Sequence, residues 1–200
     1  MLEDFAAFAE ELAAAAGQTV LKYYRRPLRV DDKAAGGIFD PVTEADRAAE
    51  AIMREMIARR FPGHGIAGEE FPDTAPDAEH LWVLDPIDGT KSFILGFPAW
   101  GTLIGLMHKG EPVLGVMSQP FTGELFIGFG DKAHYRGPAG ARSLKARPCP
   151  ALAEAMLTTT SPQLIEDEDD LARYRALEAK VRLARYGGDC YGYCMLADGR

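Results

Sequence analysis

Apolar residues along the first sixty positions recur at helical spacing. Phe5, Ala9, Leu12 and Ala16 fall on one stripe, which predicts a long amphipathic helix over residues 2–25. The stretch "RPLRVDDKAAGGIFDPV" then breaks the pattern with Pro and Gly. A second helix is predicted from Glu44 to Arg60, with Ala45, Ala49, Ile52, Met56 and Ile57 on its apolar stripe and "FPGHG" as its stop.

From Gly65 the apolar runs shorten to strand length. "GIAG", "LWVLD", "GTLIGLMH", "PVLGVMSQ" and "GELFIGFG" are separated by turn pairs such as Lys109-Gly110 and Thr122-Gly123, which predicts a mostly antiparallel meander. A strand at "EAMLTTTS", a polar helix through "EDEDDLARYRALEAK", a strand at "VRLARY" and a helix opening at Gly188 follow. With no internal repeat, the mixture predicts an α+β fold of stacked helix and sheet layers.

Composition narrows the function classes. At 200 residues and 47% hydrophobic content, the chain can build one large domain or two small ones. Its formal net charge of -8 argues against a nucleic-acid surface, which needs clustered Lys and Arg. No apolar run reaches membrane-spanning length, and "MLEDFAAFAEELAAAAG" has acids where a secretion signal has bases, so a cytoplasmic location is expected. Cys190 and Cys194, four apart on a predicted helix, are expected to be a buried, reduced pair. The acidic run from Glu166 to Asp170 fits a solvated helix start, and "KYYRRPLR" a basic surface strip. His64, His80, His108 and His134 lack metal-ligand spacing and are assigned no role.

Three acidic places lie at breaks between elements, where loops build sites: "DPVTEAD" at 40–46, "GEE" at 68–70 and "DPIDGT" at 85–90. An Asp before Pro is held extended, so Asp85 stays on the strand end while Pro86 opens a turn that brings Asp88 round beside it. Gly89 permits the backbone geometry of that turn, and the amides of Gly89 and Thr90 then open a short helix through "TKSFI", where phosphate oxygens bind well. The plainer alternative is an Asp-Gly turn whose acids only accept backbone hydrogen bonds. Two carboxylates about 4 Å apart repel by roughly 4 kcal/mol at an effective dielectric near 20, so either a proton or a cation must hold such a group together. Oxygen ligands without His or Cys point to a hard ion, Mg2+ at a phosphate site, with the Ile87 carbonyl as a further ligand. Hydrolysis of a phosphate monoester is the reaction that most needs such a site. Thr43 and Asp46 also fit a capping box for the second helix.

Taken together, "DPVTEAD", "GEE", "WVLDPIDGT" and "YGGDCYGY" resemble the inositol monophosphatase superfamily of metal-dependent, lithium-sensitive phosphatases over nearly the whole chain. "DPIDGTKSFILGFPAWGTLIGL" and "YGGDCYGY" look most like its histidinol-phosphatase branch. The resemblance implies a layered α/β sandwich with mixed, largely antiparallel sheets. It implies an amino-terminal helix pair and sheet carrying the metal site over 1–145, and the start of a substrate-pocket region over 146–200. It also implies that relatives continue beyond "MLADGR" into a further strand and helix, with an acid that completes a second metal site.

The implied roles follow position by position. Glu69 matches a ligand of the first metal, Asp85 and the Ile87 carbonyl match ligands shared around the cluster, and Asp88 matches a ligand of the second. Thr90, paired with Asp46, matches the group that deprotonates the attacking water, and Glu70 lies beside a further metal-bound water. Gly89, Thr90 and Ser92 line the phosphate site. Asp189 lies where the substrate pocket forms and suits a cationic substrate such as L-histidinol phosphate; it also suits a helix N-cap. The implied partners are a small phosphorylated substrate and a second copy of the chain. An inositol, sugar or nucleotide phosphatase is the enzymatic alternative, and a binding protein without turnover is the alternative of another class. A haloacid-dehalogenase mechanism needs its acids two apart rather than three, and no P-loop motif occurs.

Overall fold

Helix α1 spans Leu2–Val20, and its buried stripe is the one the spacing predicts, Phe5, Ala9, Leu12 and Ala16 among it. It ends five residues earlier than expected. Leu21 to Arg26 tighten into turns, which bring Tyr24 into the core with its hydroxyl donating to the Gly96 carbonyl at 2.7 Å. The "KYYRRPLR" strip is therefore not wholly surface. A computed structural model describes residues 2–32 and 41–200; "KAAGGIF" and Asp40 of "DPVTEAD" lie outside the described residues.

The chain divides into two compact units, Met1–Leu144 and Lys145–Arg200. In the first, short strands β1 (Val30–Asp32) and β2 (Pro41–Thr43) pair antiparallel and lead into helix α2 (Glu44–Arg60). The fully buried stripe of α2 is Ala45, Ala49, Met53 and Ile57, so Met53 takes the place expected for Ile52 and Met56. Then come β3 (Gly65–Gly68), β4 (His80–Asp88), the short helix α3 (Thr90–Leu95), and β5 (Gly101–His108), β6 (Glu111–Gln119), β7 (Glu124–Phe129), β8 (Lys132–Gly137) and β9 (Gly140–Ser143).

Strands β3 to β9 form one sheet in sequence order. All neighbours are antiparallel except β3 and β4, which run parallel. Lys109 and Gly110, at φ 53° and 83°, make the β5–β6 hairpin turn, a primed geometry that matches strand twist. Helices α1 and α2 pack on each other, α1 lies across β5, β6 and β7, and α2 lies on β4. Trp82, Leu84, Ile104, Leu106 and Val116 meet the helices in one apolar core. Four strands were not foreseen: the short β1 and β2, which fall in the Pro- and Gly-broken stretch, and β8 and β9. The apolar content of β8 and β9 is low, and they are placed by pairing, with Tyr135 of β8 opposite Phe126 of β7 and the rings 5.1 Å apart.

Three histidines far apart in the sequence stack into a column. Phe61, His64, His80 and His108 follow one another at centroid spacings of 4.6, 4.7 and 4.6 Å, with planes within 13°. The buried Trp82 indole donates to His64 Nδ1 at 3.1 Å, which requires that nitrogen to be unprotonated.

In the second unit, β10 (Met156–Thr159) and β11 (Leu183–Tyr186) run parallel, joined through helix α4 (Glu168–Glu178) as a β-α-β crossover. Asp167 caps α4 by accepting from the Asp170 amide at 2.9 Å, in line with the expected solvated acidic start. Helix α5 (Asp189–Ala197) carries Cys190 and Cys194, both buried and not disulfide-bonded, as expected of a reduced pair.

Burial first, then the neighbouring His80, lowers the His64 pKa from 6.5. The unfolded chain therefore binds a proton more readily than the folded one, and this contribution to stability is lost as pH falls below about 6.5. NMR titration of the His64 ring should give a midpoint below 6.5, and a midpoint above it would contradict the neutral, Trp82-bonded ring.

Candidate active site

The sheet itself explains how two acids three residues apart come to one side. Along a regular strand such residues point to opposite faces. On β4, Asp85 lies opposite Leu103 and Asp88 opposite Gly101, so Pro86 and Ile87 together face the single residue Thr102. This bulge resets the alternation and turns both carboxylates the same way. Proline suits the position because it has no N–H to leave unpaired. The Thr102 hydroxyl, fully buried, donates to the Pro86 carbonyl at 2.8 Å, and the Ile87 amide donates to Asp85 Oδ1 at 3.1 Å. Ile87 plugs the turn into the core at 1% exposure.

Gly89 ends the turn at φ 82°, a left-handed conformation that a side chain resists. As the N-cap residue it has no side chain to cap the first amides of α3. Thr90 donates to the Ile87 carbonyl at 3.0 Å, and Ser92 lies half-buried two residues further on.

The parallel pairing of β3 with β4 delivers the next acids. Gly68 stands opposite Leu84, so Glu69 leaves the strand end beside Asp85. The Glu69 carboxyl group lies within hydrogen-bonding reach of the Asp85 carboxyl group. Burial first, then the charges of Glu69 and Asp88, that contact, and the charge of Asp46 push the Asp85 pKa up to about 8.

Asp46 enters from the first turn of α2. Its Oδ2 accepts from the Thr43 amide at 2.9 Å and the Thr43 hydroxyl at 2.5 Å, so the capping box forms as read. Asp46 is 2% exposed, and burial raises its pKa to about 6 against the opposing Thr43 bonds, with Glu70 adding like charge. The Thr90 hydroxyl turns to Ile87 rather than to Asp46. Asp46, Glu69, Glu70, Asp85 and Asp88 are thus linked electrostatically. Among the described residues, no three His, Cys, Asp or Glu side chains stand at coordinating range as they are.

Asp189 belongs to the second unit. It is the first residue of α5, at φ 41°, and the cap position is Gly188 without a side-chain bond. The N-cap alternative for Asp189 is therefore corrected by one residue. A non-glycine residue at positive φ is held there at a cost on the order of 1–3 kcal/mol.

Two residues escaped the sequence reading. Glu50 is completely buried, accepts from the Glu70 amide at 2.8 Å, and pairs with Arg54 at 2.7 Å. The available signal was spacing, since Asp46, Glu50 and Arg54 recur every four residues on α2 and share one face.

The family model described as the inositol monophosphatase family matches residues 1–200. A chloroplastic bifunctional phosphatase of Arabidopsis thaliana is 42% identical over 99% of this chain. A histidinol-phosphatase of Chlorobaculum parvum is 37% identical over 95% of it. A solved inositol monophosphatase from Zymomonas mobilis superposes with a TM-score of 0.84 at 41% identity over 98% of the chain. The chain spans 56%, 71% and 74% of the lengths of these three proteins.

The two raised carboxyls fix a sign. Between the ordinary value of 3.8 and folded values of about 6 for Asp46 and about 8 for Asp85, the folded chain holds more protons than the unfolded one. Without divalent cations, the contribution of Asp46 and Asp85 to stability should therefore fall as pH rises from about 4 to about 8. Asp85→Asn should raise the Tm in EDTA at pH 8 by roughly 3–8 °C, at about 2–4 °C per kcal/mol for a chain of this size. A lower Tm for the variant under those conditions would contradict the crowding.

Proposed function

Because the chain belongs to the inositol monophosphatase family, we propose that it is a Mg2+-dependent phosphomonoesterase, hydrolysing L-histidinol phosphate to histidinol and phosphate in preference to inositol phosphate. The observation that carries this reading is the like-charge crowding on Asp85 by Glu69, Asp88 and Asp46 at the mouth of an uncapped helix start. Carboxylates so gathered call for a cation, and an all-oxygen set suits a hard one. Asp85, Glu69, Asp88 and the Ile87 carbonyl would hold it. Bound there, Mg2+ would make water a better nucleophile and shield the charge of the phosphoryl group.

The remaining work falls to the chain's own groups. The amides at Gly89 and Thr90, with the Ser92 hydroxyl, receive the phosphate oxygens. Asp46, with a pKa near 6, is an ionised acceptor at neutral pH, and with Thr90 it takes the proton of the attacking water. Glu70 raises the pKa of Asp46 and so tunes that acceptor. Asp189 pairs with the substrate's amine, and its positive φ is consistent with a side chain held for a purpose. The histidinol-phosphatase relative supports the choice of substrate.

Pairing with a second copy belongs to the same proposal. Leu95, Phe97 and Phe121 expose 69%, 60% and 45% of their surface, and Arg25 joins them by donating to the Gly96 carbonyl while stacking on Phe121. Such an apolar patch suits a partner surface.

Asp88→Asn should reduce turnover at millimolar Mg2+ by about a hundredfold or more with the fold unchanged by circular dichroism; near-normal phosphate release would remove Asp88 from the mechanism. Asp189→Ala should lower kcat/KM for histidinol phosphate at least about tenfold more than for an uncharged phosphate ester, and equal losses would undo the amine pairing. Phe97→Glu should shift sedimentation of a dimer towards monomer, whereas an unchanged dimer would place the contact elsewhere.

A further inference from the structure

Glu50 is a fully buried carboxylate with no part in the chemistry proposed above, and it lies one turn beyond Asp46 on α2. Its two oxygens are divided between two tasks. Oε1 accepts from Arg54 Nε at 2.7 Å, and Oε2 accepts the Glu70 amide at 2.8 Å. Arg54 continues along the same loop, donating to the Phe71 carbonyl at 3.0 Å and the Thr74 hydroxyl at 3.4 Å, with its guanidinium 5.8 Å from the Phe71 ring centroid. A Cβ at Gly68 would fall on the Glu50 carboxylate, so the glycine of "GEE" is what lets the loop close on it.

The loop of Gly68 to Thr74 is thereby tied to a rigid helix at each end of the segment that carries Glu69. The strand pairing ends at Gly68, and Glu69 itself is exposed. Without the Glu50 bond, the Glu70 amide would lose the acceptor that ties the segment carrying Glu69 to α2. An exposed side chain on an untethered loop loses conformational entropy when it binds an ion, whereas a tethered one has lost it on folding.

We propose that Glu50, locked by Arg54, is a positioning residue: it fixes the backbone of Glu69 and Glu70 so that their carboxylates are presented to a divalent cation. The proposal rests on the cation reading given above. Glu50 does not touch the ion or the substrate; it acts through the Glu70 amide, and the i, i+4, i+8 row of Asp46, Glu50 and Arg54 makes α2 the common ruler for the proton acceptor and the loop.

The test replaces Glu50 in two ways and reads Mn2+ binding directly, by electron paramagnetic resonance of free Mn2+, alongside amide exchange. Glu50→Leu fills the space but cannot accept the Glu70 amide, whereas Glu50→Gln keeps an accepting oxygen. The Leu variant should bind Mn2+ about 10- to 100-fold more weakly, the range expected for loss of a group supporting a ligand. Its Glu70 amide should exchange faster while α2 stays protected, and the concentration of Mg2+ giving half-maximal phosphatase activity should rise with little change in KM at saturating Mg2+. The Gln variant should recover most of the affinity. Should the Leu variant fail to fold, Gly68→Ala drives a Cβ onto the Glu50 carboxylate and the Arg54 guanidinium, disturbs the tether from the loop side and should weaken Mn2+ binding to a similar extent. Wild-type Mn2+ affinity in a folded Glu50→Leu, or in Gly68→Ala, would overturn the positioning role alone. Absence of Mn2+ binding by the wild-type chain would overturn the cation reading, and the positioning role with it.

Discussion

Like-charge repulsion among carboxylates is the constraint around which this site is arranged. Burial first, and then the charges of the nearby Glu69 and Asp88, push the Asp85 pKa up to about 8, so a full set of charges is unfavourable there. A chain selected for stability alone would separate these groups. Here each acid is delivered by a different structural device: the bulge of β4 for Asp85 and Asp88, the parallel β3 strand end for Glu69, and the capping box of α2 for Asp46. The surrounding core of Trp82, Leu84, Ile104 and the two helices keeps those devices in register.

That core also supplies the rigidity a site needs. Ile87 is buried between the two acids it separates, so the turn cannot relax outward without exposing a large apolar side chain, at a cost on the order of 2 kcal/mol. The Thr102 hydroxyl satisfies the carbonyl that the bulge takes out of the ladder. On the far side, the Glu50–Arg54 pair ties the "GEE" loop to α2. The uncapped start of α3 then stands beside the acids, giving an anion and a cation adjacent places.

Much of this was legible where local rules govern. Pro86 and Gly89 announce a turn at the end of an apolar run, and Thr43 with Asp46 announces a helix start; both fold as those residue types dictate. The helical and strand periods placed α1, α2 and the central strands. What escaped depends on contacts distant in sequence. The bulge parity is set with Thr102, Glu50 looks like any acidic helix position until the Glu70 amide meets it, and β8 acquires its identity from Phe126 across the ladder. The histidine column is of the same kind, since His64, His80 and His108 come from β-sheet neighbours and a helix-end loop. The early end of α1 followed from Tyr24 finding Gly96, seventy-two residues away.

The central claim is that Glu69, Asp85 and Asp88 form one oxygen site for a hard divalent ion. The most direct measurement is an anomalous difference map from crystals of the chain grown with Mn2+ in place of Mg2+. The account predicts a peak at the carboxylates of Glu69, Asp85 and Asp88 and the carbonyl of Ile87. A map with no peak at that turn, at millimolar Mn2+ and with the fold intact, would contradict it.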